Sequence, residues 1–195
     1  MELIFATNNL HKIAEIQPLL PASIRLKTLK QAGIEQDIPE PHDSLEANAS
    51  EKSKVIHSIT GANCFSEDTG LEVVALKGAP GVKTARYAGE NAGPNENINK
   101  LLDVLRNEND RRARFRTVIS LILNGKEFQF EGICEGRIGD APSGNQGFGY
   151  DPVFIPDGSD SCFADMTLEE KQQFSHRRKA TDKLVGFLLV EATKL

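Results

Sequence analysis

Two residues, Asn124-Gly125, constrain the fold of this chain more tightly than any other feature of its sequence. An Asn-Gly pair accepts positive φ at both centres of a type I′ turn, and that turn has the twist needed to join two antiparallel strands. Before it, Phe115, Ile119, Leu121 and Leu123 hold odd positions while Arg112, Arg114 and Arg116 hold even ones. After it, Phe128, Phe130 and Cys134 recur at period two. Successive strand side chains point to opposite faces, so the pattern predicts a hairpin whose arginines turn to solvent or to an acidic neighbour.

The N-terminal half follows another rhythm. Leu3 to Ala6 reads as a short buried strand running into polar Thr7-Asn8-Asn9, then a helix with Ile13, Ile16, Leu19 and Leu20 on one face. Pro39 and Pro41 hold Glu40 in a segment that cannot be helical, and Asp43-Ser44-Leu45-Glu46 has the form of a capping box opening a helix through about Ile59. Cys64-Phe65-Ser66 is expected as a short strand leading into Glu67-Asp68-Thr69-Gly70, which sets the acids at a strand break before the apolar run Leu71 to Leu76. Pro94 should open a helix carrying Ile98, Leu101, Leu102 and Leu105. Beyond the hairpin, Gly139 to Gly149 is too irregular for regular structure and too short for a linker, and reads as a binding loop. Thr167-x-x-Glu170 is a second capping box, and Ala180, Leu184, Phe187, Leu188 and Glu191 give a closing amphipathic helix. Helices alternating with strands early and a hairpin late predict an α/β fold, a mixed β-sheet flanked by helices, as one domain over residues 1–195 in two lobes.

Composition removes several classes of function. The hydrophobic set makes up 39% of the 195 residues and there are 16 glycines, the apolar content of a globular chain and not of a disordered one. A net charge of −5 opposes bulk attraction to nucleic acid or to anionic membrane, so neither is expected as a partner. Cys64, Cys134 and Cys162 are odd in number and lack Cys-x-x-Cys spacing, which fits buried small hydrophobes in a reducing compartment. Met1-Glu2-Leu3 carries an acid where a signal peptide has a base, no run approaches the length of a membrane helix, and a cytoplasmic location is expected.

Four groups of residues can do chemistry, each with an ordinary alternative. Thr7, Asn8, Asn9, Leu10, His11 and Lys12 place a hydroxyl, amides, backbone N–H groups and an ammonium where a strand meets a helix, which suits a phosphate but also describes a common cap. Glu40 and the pair Glu67-Asp68 are hard carboxylates without nearby His or Cys, a set that favours Mg²⁺ or Mn²⁺ shared with a phosphate, or else solvated acids. Phe148, Gly149, Tyr150 and Asp151 follow Gly147 on a loop where a Phe face could stack on a nucleobase or pin a turn to the core. Lys171, Ser175, His176, Arg177 and Arg178 form a cationic group able to hold phosphate or a carbonyl oxygen, or a solvated basic face.

The order of these motifs carries more than any one of them. Thr7-Asn8-Asn9-x-x-Lys12, Pro39-Glu40, Asn48-Ala49-x-x-Lys52, Glu67-Asp68-Thr69-Gly70-Leu71, Gly78-Ala79-Pro80-Gly81, Ala85-Arg86-Tyr87-x-Gly89, Gly147 to Pro152, and Lys171 with Ser175-His176-Arg177 occur in sequence from about residue 3 to 190. This set resembles the inosine triphosphate pyrophosphatase family. The resemblance implies an elongated mixed sheet with a nucleotide cleft between two lobes, usually in a homodimer, and Mg²⁺-dependent hydrolysis of ITP, dITP or XTP to the monophosphate and pyrophosphate. It implies Asp68 as proton acceptor, Glu40 and Asp68 as metal ligands, and Thr7 to Lys12, Lys52 and Thr69 on the triphosphate. Phe148, Gly149, Tyr150, Asp151, Lys171, His176 and Arg177 fall to the rest of the nucleotide pocket, with Phe148 stacking on the base and His176-Arg177 reading its edge. Glu67 stands where many bacterial members have Asp. Two other readings are a related pyrophosphatase acting on another base and a sensor that binds nucleotide without cutting it.

Overall fold

A computed structural model describes residues 1–36 and 38–192. Strands β1 (Glu2–Phe5), β2 (Arg25–Thr28), β3 (Cys64–Val73), β4 (Pro80–Gly81), β5 (Arg112–Leu123), β6 (Lys126–Ile138) and β7 (Phe154–Pro156) form a mixed sheet. Its order is β2-β1-β3-β5-β6-β7, with β4 paired to β3. The β1–β2 and β1–β3 pairs are parallel, and the β3–β4 and β6–β7 pairs are antiparallel. The helices are α1 (Leu10–Ile16), α2 (Leu45–Thr60), α3 (Pro94–Val104), α4 (Leu168–Phe174) and α5 (His176–Ala192). The fold is α/β, as the sequence pattern predicts.

The chain divides into two compact units, each assembled from separated segments. The first comprises Met1–Asp68, Thr117–Gly132 and Arg177–Leu195. Its strands are apolar on both faces because helices cover both. Leu3, Phe5, Phe65, Ile119 and Leu121 pack on Ile16 of α1 and on Ala180, Leu184 and Leu188 of α5, while Ile4, Ala6, Cys64 and Ile122 pack with Ile56 of α2. The side chains of β1 and β3 therefore alternate between an α5 side and an α2 side, the parity that governs the site below.

The second unit comprises Thr69–Arg116 and Ile133–His176. Leu71, Ile98, Leu101, Phe115, Phe154 and Phe163 lie in its core. The arginines of early β5 meet acids as expected, Arg112 on Asp110 at 2.7 Å and Arg114 on Glu72 at 2.7 Å. The hairpin turn between β5 and β6 has φ of 52° at Asn124 and 76° at Gly125, the left-handed values that residue pair accepts.

Three local expectations change. The acids Glu67 and Asp68 lie inside one continuous strand and not at a break, because cations that neutralise them allow a strand to bury them. The cap of α2 is Ser44, whose hydroxyl accepts from Ala47 N–H, one residue later than the Asp43-x-x-Glu46 box, and Glu46 then serves the helix dipole in the first turn. Helix α1 is only seven residues long and Gln17–Leu19 tightens to a 3₁₀ turn that contains Pro18. The Thr167–Glu170 capping box forms as predicted, and all three cysteines are free and buried. No helix among the described residues is long and apolar enough to cross a membrane.

Candidate functional site

The site in the first unit begins with the β1–β3 register. Phe5 pairs with Phe65, and Ala6 N–H still donates to the Phe65 carbonyl at 2.8 Å. There β1 ends and the chain turns away, while β3 runs on through Glu67 and Asp68. Ends of parallel strands in α/β sheets are where side chains from several loops can converge. Strand parity then sends Glu67 to the α5 side with Phe65, and Asp68 to the α2 side with Cys64 and Ser66.

On the α5 side Glu67 is almost fully buried and held by two cations. Arg177 donates from Nε and Nη2 to its two oxygens at 2.8 and 3.1 Å, and Lys12 Nζ lies 2.9 Å from Oε1. Arg177 also donates from Nη1 to Glu15 at 2.5 Å. Burial pushes the Glu67 carboxyl upward, but Arg177 and Lys12 outweigh it and hold the group well below the ordinary carboxylate range. A buried ion cluster of this kind survives only when every charge is matched. Lys171, Ser175, His176 and Arg177 are thus buried and do not form a solvated face. Glu15 was not singled out from the sequence, although an acid between Ile13 and Ile16, three residues after Lys12, signals a charge taken into the covered side of α1.

On the α2 side Asp68 meets Lys52. Lys52 Nζ donates to Glu40 Oε1 at 2.6 Å, to the Glu67 carbonyl at 2.7 Å and to Asp68 Oδ1 at 3.4 Å. Burial disfavours the Lys52 ammonium, yet Asp68 and Glu40 raise its pKa overall. Asp68 is raised as well: burial comes first, Lys52 opposes it, and Glu40 adds to it. Among the described residues the other oxygen, Asp68 Oδ2, is buried and has no hydrogen-bond partner. The segment carrying Glu40 has no regular structure, as its flanking prolines require. Thr7, Asn8, Lys12, Glu40, Lys52 and Glu67, with apolar Leu29 and Ile38, line a cavity of about 190 Å³.

The turn after β1 is held by its own side chains. Thr7 Oγ1 accepts from Asn9 N–H at 3.1 Å, and Asn8 Oδ1 accepts from Lys30 N–H at 3.0 Å. Asn9 caps α1, its Oδ1 accepting from the N–H groups of His11 and Lys12, so that part of the expected phosphate cradle is the ordinary cap. Leu10 and His11 are exposed.

In the second unit the loop around residues 147–151 is organised by Asp151. Its Oδ2 accepts from Phe148 N–H at 2.8 Å and from Lys171 Nζ at 2.7 Å, and Asp151 and Lys171 are both buried. The Lys171 ammonium also stands 5.3 Å from the Phe148 ring centroid. Gly147 has φ of 73°, and a Cβ there would collide with the Asp151 carboxylate. The two aromatics part company: Tyr150 is core and donates its hydroxyl to the Thr84 carbonyl at 3.0 Å, whereas Phe148 is half-buried. Gly149 takes a left-handed φ of 61° between them. His176 stacks on Phe115 with centroids 4.7 Å apart. Thr69 follows Asp68 in β3 and is half-buried.

Fold and charge pattern define an α/β protein whose parallel strands end at a cavity walled by lysines and carboxylates. The Ham1 family model matches residues 3–187, and the chain belongs to that family. A dITP/XTP pyrophosphatase of Flavobacterium psychrophilum is 49% identical over 187 residues, which cover 96% of this chain and 98% of that one. The Ham1 protein of Staphylococcus aureus superposes with a TM-score of 0.89 at 38% identity, covering 98% of this chain and 100% of its own. A HAM1 protein from Coxiella burnetii gives 0.90 at 35% identity, covering 97% and 98%.

Proposed function

We propose that this protein hydrolyses non-standard purine nucleoside triphosphates (ITP, dITP and XTP) to the monophosphate and pyrophosphate, removing them from the nucleotide pool. The observation that carries the reading is the buried Asp68 carboxylate inside β3, with one oxygen near Lys52 and, among the described residues, the other without a hydrogen-bond partner, next to Glu67 and Lys52, which with Lys12 and Glu40 line the cavity. Two strongly similar features support the substrate class: the Flavobacterium relative is named for dITP and XTP, and nearly its whole length aligns.

Glu40 and Asp68 suit Mg²⁺, with Mn²⁺ as a substitute. Both are hard oxygen donors, and Asp68 Oδ2 is a buried acceptor that a cation would satisfy. An ion held by these two carboxylates would complete its shell with substrate oxygens and water. When bound, the ion supplies charge neutralisation on the phosphates and a lowered pKa for water. Asp68 orients a water and takes its proton as oxygen attacks the α-phosphorus; the bond from that phosphorus to the bridging oxygen breaks, and pyrophosphate leaves with the electron pair. Lys12 and Lys52, with Thr7, Asn8, Asn9, Leu10, His11 and Thr69, take the triphosphate side. Phe148 stacks on the base, with Gly149, Tyr150, Asp151 and Lys171 completing its loop. The family resemblance gives His176 and Arg177 the base edge, where a 6-keto oxygen accepts from a donor and the amino group of adenine does not. With Arg177 buried on Glu67 and Glu15 and His176 buried against Phe115, that role requires both side chains to be uncovered when nucleotide binds. The homodimeric state that the family resemblance implies and the expected cytoplasmic location are checked by sedimentation and fractionation.

The test is pyrophosphate release from ITP, XTP, dITP, GTP, ATP and dTTP, with Mg²⁺ and again with EDTA. Fast turnover of ITP, dITP and XTP that EDTA abolishes is expected. Preferred turnover of dTTP would move the substrate to another base. Binding of ITP without turnover would make the protein a sensor and remove Asp68 from the role of base.

A further inference from the structure

The stretch Asn48-Ala49-x-x-Lys52 gives one residue, Lys52, to the site and leaves Asn48 unexplained. Asn48 is completely buried on α2, in line with Leu45, Lys52 and Ile56. A buried carboxamide is tolerated only when its donor and acceptor are both used. Asn48 uses both on one backbone residue: Oδ1 accepts from His42 N–H at 2.9 Å, and Nδ2 donates to the His42 carbonyl at 3.1 Å. His42 lies two residues beyond Glu40. One helical turn further on, Lys52 holds the Glu40 carboxylate itself. Helix α2 thus grips the irregular segment 40–42 at two points four residues apart, on the same helical face.

The helix is in turn fixed to the strand that carries Asp68. Ser66 Oγ donates to the Ala49 carbonyl at 2.5 Å, and Cys64 Sγ donates to the Ser53 carbonyl at 3.3 Å. Ser66 points to the α2 side of β3 two residues before Asp68. The chain of contacts therefore runs from Asp68 through its own strand to α2, and from α2 through Asn48 to the backbone beside Glu40. We propose that Asn48 is a positioning residue that clamps the His42 peptide so that the Glu40 carboxylate is presented beside Asp68. The proposal rests on the reading of Glu40 and Asp68 as metal ligands. An extended segment closed by prolines has no ladder of its own to hold it, so a side chain must supply one.

The test measures binding of Mn²⁺ alone by electron paramagnetic resonance titration, together with hydrogen exchange over residues 38–43 and thermal melting. Asn48→Ala removes both hydrogen bonds; His42→Pro removes the His42 N–H while leaving α2 untouched, and serves if the first variant does not fold. Either change is expected to weaken Mn²⁺ binding by about tenfold or more, the scale of losing an outer-shell partner. Exchange over 38–43 should rise at the same time in metal-free protein. Glu40→Gln separates position from mere stability: in that background Asn48→Ala should lower the melting temperature as before yet weaken Mn²⁺ binding no further. Wild-type Mn²⁺ affinity in a folded Asn48→Ala or His42→Pro protein overturns the proposal, as does an equal loss of affinity in both backgrounds. If Glu40→Gln itself binds Mn²⁺ like the wild type, the metal reading of Glu40 is what fails, and the positioning role falls with it.

Discussion

At the scale of single residues, two adjacent carboxylates of one strand do opposite work because strand parity gives them different neighbours. Asp68 is raised in pKa by burial and keeps one oxygen without a partner among the described residues, the condition of a group held ready to accept a proton or a cation. Asp68→Asn keeps the shape and loses charge and basicity. Its kcat for ITP should fall by at least about a hundredfold, the low end for losing a general base, with the dissociation constant for IMP changed far less. Near-native kcat would take Asp68 out of the mechanism. Glu67 is instead depressed by Arg177 and Lys12, so below the ordinary value of 4.5 the unfolded chain binds a proton that the folded chain still refuses. Its stabilisation is therefore complete above pH 4.5 and is lost as the pH falls toward its depressed folded value. Glu67→Gln should cost about 3–5 kcal/mol at pH 7, the penalty for leaving buried partners uncompensated, and should flatten the loss of stability below pH 4.5. Urea unfolding at pH 7, 4.5 and 3.5 reads both effects, and an unchanged acid slope would assign the acid sensitivity to another carboxylate.

At the scale of elements, the loop 147–151 depends on Gly147 being glycine. A side chain there is strained by its φ of 73° and displaces the Asp151 carboxylate, which holds both the Phe148 N–H and Lys171. Gly147→Ala should cost about 1–2 kcal/mol from left-handed backbone alone. Because Phe148 and Lys171 lose their common anchor, KM for ITP should rise several-fold more than kcat falls. A melting curve and steady-state kinetics check this, and a lowered melting temperature with unchanged KM would detach the loop from substrate binding. The same elements show what a sequence can disclose. The β5–β6 hairpin, α3 and the Thr167 box were legible because turn chemistry, helical spacing and capping are local. The continuity of β3 through Glu67-Asp68 was not, since two adjacent acids break a strand unless cations distant in sequence neutralise them. Arg177 lies 110 residues from Glu67, and no local pattern reports that pairing. Asn48 stands in the motif Asn48-Ala49-x-x-Lys52, but its role was not legible for a related reason: its partner is the His42 backbone, which leaves no trace in side-chain spacing. Glu15 could have been found from its place between two apolar residues on the covered side of α1.

At the scale of the whole molecule, charge decides which polyanions the protein meets. The net charge of −5 repels a long phosphate chain, whose capture depends on releasing many counterions from a broad basic surface. The basic run Arg111 to Arg116 offers no such surface. Arg111 donates to the carbonyls of Leu105, Ile138 and Gly139, Arg112 is paired with Asp110, and Arg114 and Arg116 lie beside Glu72. A triphosphate is a different target, because a few buried cations around one cavity act at short range, where screening by salt is weak. The expected outcome is that a labelled 20-base-pair duplex gains no anisotropy at micromolar protein in about 50 mM salt, below the usual range of non-specific DNA affinity. Under the same conditions IMP should still protect the protein thermally, by about 2.7 kcal/mol at a hundredfold excess over its dissociation constant. Duplex binding that weakens steeply between 50 and 200 mM salt would mean that the arginines leave their carboxylates for phosphate, and the −5 balance would then conceal a local basic stripe.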